Sequence, residues 1–151
     1  MSLDDIIDDA QEELKRVEHL VFVSLKYTRT VDVLKNVLSR MIEAYNHMLK
    51  ALYKNKRDDE PPEAPVKLAN TVNTMYDEEI VGENVELYLL LRKILRAPNP
   101  IKEEEYRRHV AMKTFIDGKE EVFNIDLAMQ YFETISEFFE TLRRDILDYD
   151  G

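Results

Sequence analysis

Between Leu34 and Tyr53 the apolar residues Leu34, Val37, Leu38, Met41, Tyr45, Met48, Leu49, Leu52 and Tyr53 recur at steps of three and four. That spacing draws one wide apolar stripe along a helix. Arg40, Glu43, His47, Lys50 and Lys54 fall on the opposite stripe, so the segment has a face to bury and a face to wet. Upstream, Ser2 and Asp5 have the spacing of a capping-box variant, and Asp4, Asp5, Asp8 and Asp9 put negative charge where a helix dipole is positive. A first helix is therefore expected from about Leu3 to Tyr27. Its inward positions are Ile6, Ile7, Ala10, Leu14, Val17, Leu20, Val21 and Leu25, with Phe22 and Val23 widening the stripe. The break at Thr28 to Thr30 is short, Thr30 suits an N-cap, and two helices joined so closely pack antiparallel.

Asn55 to Pro65 is polar and carries Pro61, Pro62 and Pro65, which interrupt both helix and strand. A third helix should start with Pro65 in its first turn and bury Val66, Ala69, Val72, Met75 and Tyr76. Gly82 reads as a break before a fourth helix, Val85 to Leu95, apolar on nearly all sides and stopped by Ala97, Pro98, Asn99 and Pro100. Further on, His109 to Ile116 and Lys119 to Ile125 flank Asp117-Gly118, a dipeptide suited to two positive φ angles in a hairpin turn. Pairing outward sets Met112 opposite Phe123 and Val110 opposite Ile125 on an inner face, with Lys113 opposite Val122 and Phe115 opposite Glu120 outside. A helix ending at Gly118 is the rival reading. Asp126 is then expected to cap a last helix that buries Ala128, Tyr131, Phe132, Ile135, Phe138, Phe139, Leu142 and Ile146. These patterns predict one domain over residues 1–151, all-α, an up-and-down bundle of about five helices with a small β-hairpin inserted before the last helix.

Composition narrows the chemistry. The chain of 151 residues carries no cysteine, which excludes disulfides, thiolate nucleophiles and cysteine-bound zinc and favours a cytoplasmic setting. Met1 to Ala10 is acidic where a secretory signal would be basic and then apolar, so no signal peptide is expected. Apolar runs such as Leu87 to Leu91 fall far below the ~20 residues of a bilayer span, so no membrane role is expected. A net charge of -10 repels nucleic-acid backbones and anionic lipids, so a nucleic-acid partner would need a local basic patch.

Few constellations survive. The glycines Gly82, Gly118 and Gly151 are isolated, which excludes a phosphate loop, and no motif implies a cofactor. Ser2, Ser24, Ser39 and Ser136 fall in helices or at a helix start, unlike a nucleophile on a strained turn. Glu43 and His47 are spaced i, i+4 with no second copy, which reads as a surface pair rather than a metal site, and His19 beside Glu18 reads as a boundary residue. Arg40 and His47 lie seven residues apart, two helical turns, and point the same way. Such a pair can bind phosphate and move a proton, whereas a solvated face bridged by Glu43 is the plainer reading. Tyr106, Arg107, Arg108 and His109 form the most basic local patch with an aromatic beside it, partly offset by Glu103, Glu104 and Glu105.

The stretch Arg40 to Leu52 (RMIEAYNHMLKAL) and the closing segment Asn124 to Leu142 (NIDLAMQYFETISEFFETL) resemble the second and last helices of HEPN domains, small helical modules named for nucleotide binding. The resemblance implies a helical bundle that dimerises. It also implies either an RNase with an Arg-x(4 to 6)-His pair or a noncatalytic partner of a nucleotidyltransferase. Arg40-x6-His47 sits in the second helix rather than late in the chain, and Arg107, Arg108 and His109 are adjacent rather than spaced, so the resemblance implies a noncatalytic member. The leading expectation is thus a noncatalytic HEPN-like module, a homodimer binding a protein partner or a nucleotide-bearing ligand. The alternatives are a metal-independent RNase using an Arg/His pair and an acidic mimic or inhibitor of a basic protein surface.

Overall fold

The computed structural model describes residues 2–147 and contains five helices with a small sheet before the last. Helix α1, Leu3–His19, opens on the expected capping box: the Ser2 hydroxyl accepts from the Asp5 amide at 3.2 Å, and the Asp5 carboxylate accepts from the Ser2 amide at 3.4 Å. The helix then widens into a π-helical turn at Leu20–Ser24 and returns to α geometry for Leu25–Tyr27. The wider turn keeps Val21 and Leu25 in the core but leaves Phe22 and Val23, expected to widen the buried stripe, exposed. Helix α2, Val31–Lys56, is capped by Thr30, whose hydroxyl accepts from the Val33 amide at 3.2 Å. Every apolar residue of its expected stripe is buried, and Ile42, Ala44 and Ala51 are buried as well. The face is wider than its periodicity suggests because α2 touches all the other helices.

Helix α3, Pro65–Met75, has proline in its first turn and buries Leu68, Ala69 and Val72, with Tyr76 buried just beyond. Val66, expected inside, lies off that stripe and is 43% exposed. Helix α4, Glu79–Arg96, runs straight through Gly82, so the expected break is not there. One glycine costs a helix only about 1 kcal/mol. Val81 and Val85 on either side are buried, and a Cβ at Gly82 would meet Asn73 Oδ1 of α3 at 3.4 Å. Asn84, also on α4, is a buried polar residue with both ends used: Tyr45 Oη–H donates to its Oδ1 at 2.6 Å, and its Nδ2 donates to the Ile80 carbonyl at 2.9 Å. Tyr45 meets Tyr88 edge to face at 5.7 Å, and the Tyr88 hydroxyl donates to Asn46 Oδ1.

The hairpin is present, and it belongs to a three-stranded antiparallel sheet in the order β1-β2-β3. Strands β2, Ala111–Ile116, and β3, Lys119–Asn124, turn at Asp117 and Gly118, whose φ angles are 53° and 77°. Met112 faces Phe123, Lys113 faces Val122 and Phe115 faces Glu120, as the turn dictates. The ladder stops at Ala111 and Asn124, so Val110 and Ile125 do not pair: Ile125 has already entered the last helix. Strand β1, Ile101–Glu103, is the unexpected member. A hairpin alone is marginal, and here β1, the buried Met112 and Phe123, and the Lys113 ammonium between Glu103 at 2.7 Å and Glu120 at 3.1 Å hold it. Helix α5, Ile125–Thr141, is capped by Asn124, whose Oδ1 accepts from the Leu127 amide at 2.9 Å, and not by Asp126. Asn124 leaves β3 with extended backbone, as an N-cap must, while Asp126 already lies in the first helical turn. Leu142–Ile146 continues α5 as a second π-helical turn.

Gly118 has positive φ, and a Cβ placed there would meet no atom within 4 Å, so its constraint is conformational, whereas Gly82 is helical. Gly118→Val should therefore lower stability in urea titrations by about 1 kcal/mol or more, and Gly82→Ala should leave it unchanged or raise it by up to about 1 kcal/mol. Burial raises the phenol pKa of Tyr45, Tyr76, Tyr88 and Tyr131, in Tyr88 against the opposing charge of Arg92. Folded values above the unfolded value of about 10 mean that the folded state keeps protons the unfolded chain gives up. Stability should hold below about pH 10 and fall as pH rises beyond it, with Tyr45 ionising only on unfolding, as followed by phenolate absorbance beside circular dichroism.

Candidate functional site

The segment between β1 and β2 folds back onto the α1–α2 turn. Glu104 and Tyr106 take positive φ, 54° and 66°, and this tight path brings the Tyr106 amide to the Arg29 carbonyl at 2.6 Å. Glu105 Oε2 accepts from the Val31 amide at 3.1 Å, a carboxylate at the amino end of α2 supplied by a residue far along the chain. Lys102 lies 3.8 Å from Asp32 and 3.9 Å from Glu105 and ties the same corner. Two further turns, Arg107 N–H to Glu104 O and Val110 N–H to Arg107 O, both at 3.0 Å, set the last residues of the segment.

The result is a cleft of about 270 Å³ lined by Arg29, Arg108, His109 and Val110 on one side and by Asn124, Ile125 and Asp126 of the α5 amino end on the other. Asn124 satisfies only the Leu127 amide, so the Ile125 and Asp126 amides have no intrahelical acceptor. Basic side chains and a helix amino end together favour an anion, with Asp126 the single opposing charge. Among the described residues no carboxylate pairs with Arg29, Arg108 or His109. Of the basic patch marked in the sequence, Arg108 and His109 enter the cleft. Arg107 and Tyr106 do not line it, and the Tyr106 ring is 78% exposed. Arg29 was missed, because only the folded loop brings a residue of the α1–α2 turn to this place.

Arg40 and His47 are not brought together. The Arg40 guanidinium lies 3.4 Å from both Glu13 oxygens, and Arg16 reaches the same carboxylate at 2.6 Å. Glu43 accepts from Asn46 at 3.1 Å instead of bridging Arg40 to His47. Glu13 is only 7% exposed, and two guanidiniums offset the cost of holding it there. The histidine that shares a groove with Arg40 is His19, beside the π-helical turn, with Arg16, Lys15 and Glu12 around it. An acid on the inward stripe of Ala10, Leu14 and Val17 was the signal for this pairing, since a buried carboxylate demands a cation.

Among the described residues no group of three or more His, Cys, Asp or Glu side chains is placed to hold a metal, and no helix is long and apolar enough to cross a membrane. No family model, curated protein or solved structure matches the chain. The HEPN resemblance accordingly stands on the sequence of its helices alone.

Glu105 links the cleft loop to the core. Glu105→Ala should cost about 1 kcal/mol in urea titrations through the lost cap at Val31. Hydrogen exchange of the Tyr106 and Val110 amides should quicken in the same variant, and unchanged exchange would mean that the loop holds its shape without Glu105.

Proposed function

We propose that the chain is a noncatalytic HEPN-like interaction module of up-and-down helical type, acting in the cytoplasm as a homodimer. Its cleft takes the phosphate of a nucleotide-bearing ligand, and its remaining surface serves a protein partner such as a nucleotidyltransferase. The observation that carries the ligand reading is the convergence of Arg29, Arg108 and His109 on the amino end of α5, on a chain whose net charge is -10. A concentration of cations against that overall field is the feature an anionic ligand needs. The engagement of Arg40 with Glu13 supports the noncatalytic half, because a guanidinium already spent on a carboxylate is poorly placed to stabilise a transition state.

Isothermal titration with ATP should give saturable binding that weakens about tenfold or more in Arg29→Ala and in Arg108→Ala, and that falls with added salt. Binding that is absent, or equal in the double variant, would sink this reading. Light scattering at high micromolar concentration should report a dimer. The metal-independent RNase reading draws on one observation, that Arg108 and His109 share the cleft with Arg29. It requires RNA cleavage by the parent chain that His109→Ala abolishes, without a metal requirement.

A further inference from the structure

A second concave surface shares no residue with the anion cleft. The last turns of α4, the tip of the β2–β3 hairpin and the start of α3 enclose an open groove of about 560 Å³. Its apolar part includes Phe115, 57% exposed, and Val66, 43% exposed, beside Leu89 and Ile116. Along one side run Arg92, Lys93 and Arg96. Cations suit the carboxyl end of a helix, which accounts for their presence on α4 but not for the aromatic and aliphatic side chains left in water next to them.

Charge in the groove is unbalanced. Lys93 lies 3.8 Å from Asp117, and among the described residues no carboxylate is within ion-pair distance of Arg92 or Arg96. Arg92 rests over the Tyr88 ring at 5.7 Å, its Nε–H is buried and has no acceptor among the described residues, and Glu43 lines only the neighbouring depression. On a chain of net charge -10, this is a local excess of positive charge around an apolar floor.

We propose that this groove docks an acidic amphipathic helix of a different protein, whose apolar stripe covers Phe115 and Val66 while its carboxylates meet Arg92 and Arg96. Four residues apart on α4, the two guanidiniums stand one turn from each other, a spacing that glutamates at i and i+4 of a facing helix reproduce. A second copy of the chain is a poor occupant. A twofold contact would set these cations against themselves, and a head-to-tail contact would give a ring or an open filament rather than a simple dimer. A polynucleotide is disfavoured by the net charge and by a floor with one aromatic ring on which to stack. The groove reading does not depend on the nucleotide cleft and stands or falls separately.

The test is fluorescence anisotropy with the full chain and a labelled synthetic helix bearing a leucine stripe flanked by glutamates at i and i+4. Saturable binding should weaken about tenfold or more in an Arg92→Glu, Arg96→Glu double variant and at raised salt. It should also weaken in Phe115→Ser and be unchanged in Arg29→Ala, which alters only the nucleotide cleft. Thermal melts check each variant, and Arg96→Glu alone serves if loss of the Arg92–Tyr88 contact unfolds the double variant. A peptide with lysine in place of glutamate should not bind. No binding of the glutamate peptide, binding indifferent to the charge reversal, or equal binding of the lysine peptide overturns the proposal. So does an oligouridine that occupies the groove where the peptide does not, or self-association that the charge reversal abolishes.

Discussion

The packing of α2 against all four other helices is the constraint from which the rest of the structure follows. A helix touched by α1, α3, α4 and α5 must present apolar or fully hydrogen-bonded groups around most of its circumference, and it does so from Val31 to Tyr53. Where polarity enters that core, it is offset locally. Tyr45 and Asn84 satisfy each other, and the second end of Asn84 closes on the Ile80 carbonyl of its own helix. The Tyr76 hydroxyl donates in the same way to the Leu52 carbonyl at 2.6 Å, which fixes the end of α3 against α2. These bonds orient the helices around α2, while burial of the aromatic rings supplies the larger share of the attraction.

The same helix organises the surface chemistry. At its amino end the Val31 amide takes Glu105, and the loop so anchored carries Arg108 and His109 to Arg29 and the start of α5. On its wet face Arg40 is drawn to Glu13 of α1, and a residue that looks free in the sequence becomes part of the α1–α2 contact. A single carboxylate therefore decides the role of Arg40. Glu13 is buried and must be neutralised, so the guanidinium goes there rather than to His47.

The sheet has a comparable division of labour. Its inner face, Met112 and Phe123, packs into the core, and the ring of Phe123 stacks on Tyr131 of α5 with centroids 6.1 Å apart. Its outer face carries the Lys113 bridge across all three strands and the exposed Phe115. The hairpin thus closes the core on one side and, at its tip, contributes apolar surface to the groove beside α4.

Much of this was legible in the chain because it is written within a few residues at a time. The α2 stripe, the Ser2 and Thr30 caps, Pro65 in a first turn, and the Asp117-Gly118 turn with the β2–β3 register it imposes all depend on neighbours three to six positions away. The sequence also marked Tyr106, Arg107, Arg108 and His109 as a basic patch, without saying that only Arg108 and His109 would line the cleft. Tertiary structure alone decided the rest. Strand β1 has no apolar alternation of its own and exists because β2 offers an edge. Gly82 stays helical because burial on both sides of it outweighs one glycine's propensity, and Asn124 outranks Asp126 as a cap because the strand delivers it in extended conformation. Arg29 joins the cleft, and Glu13 claims Arg40, through contacts between distant segments; Glu105 and Val31 are 74 residues apart. A local pattern fixes which face of an element is apolar, but which charged groups meet across the fold is set only when the elements pack and a buried charge takes the nearest partner the packing allows.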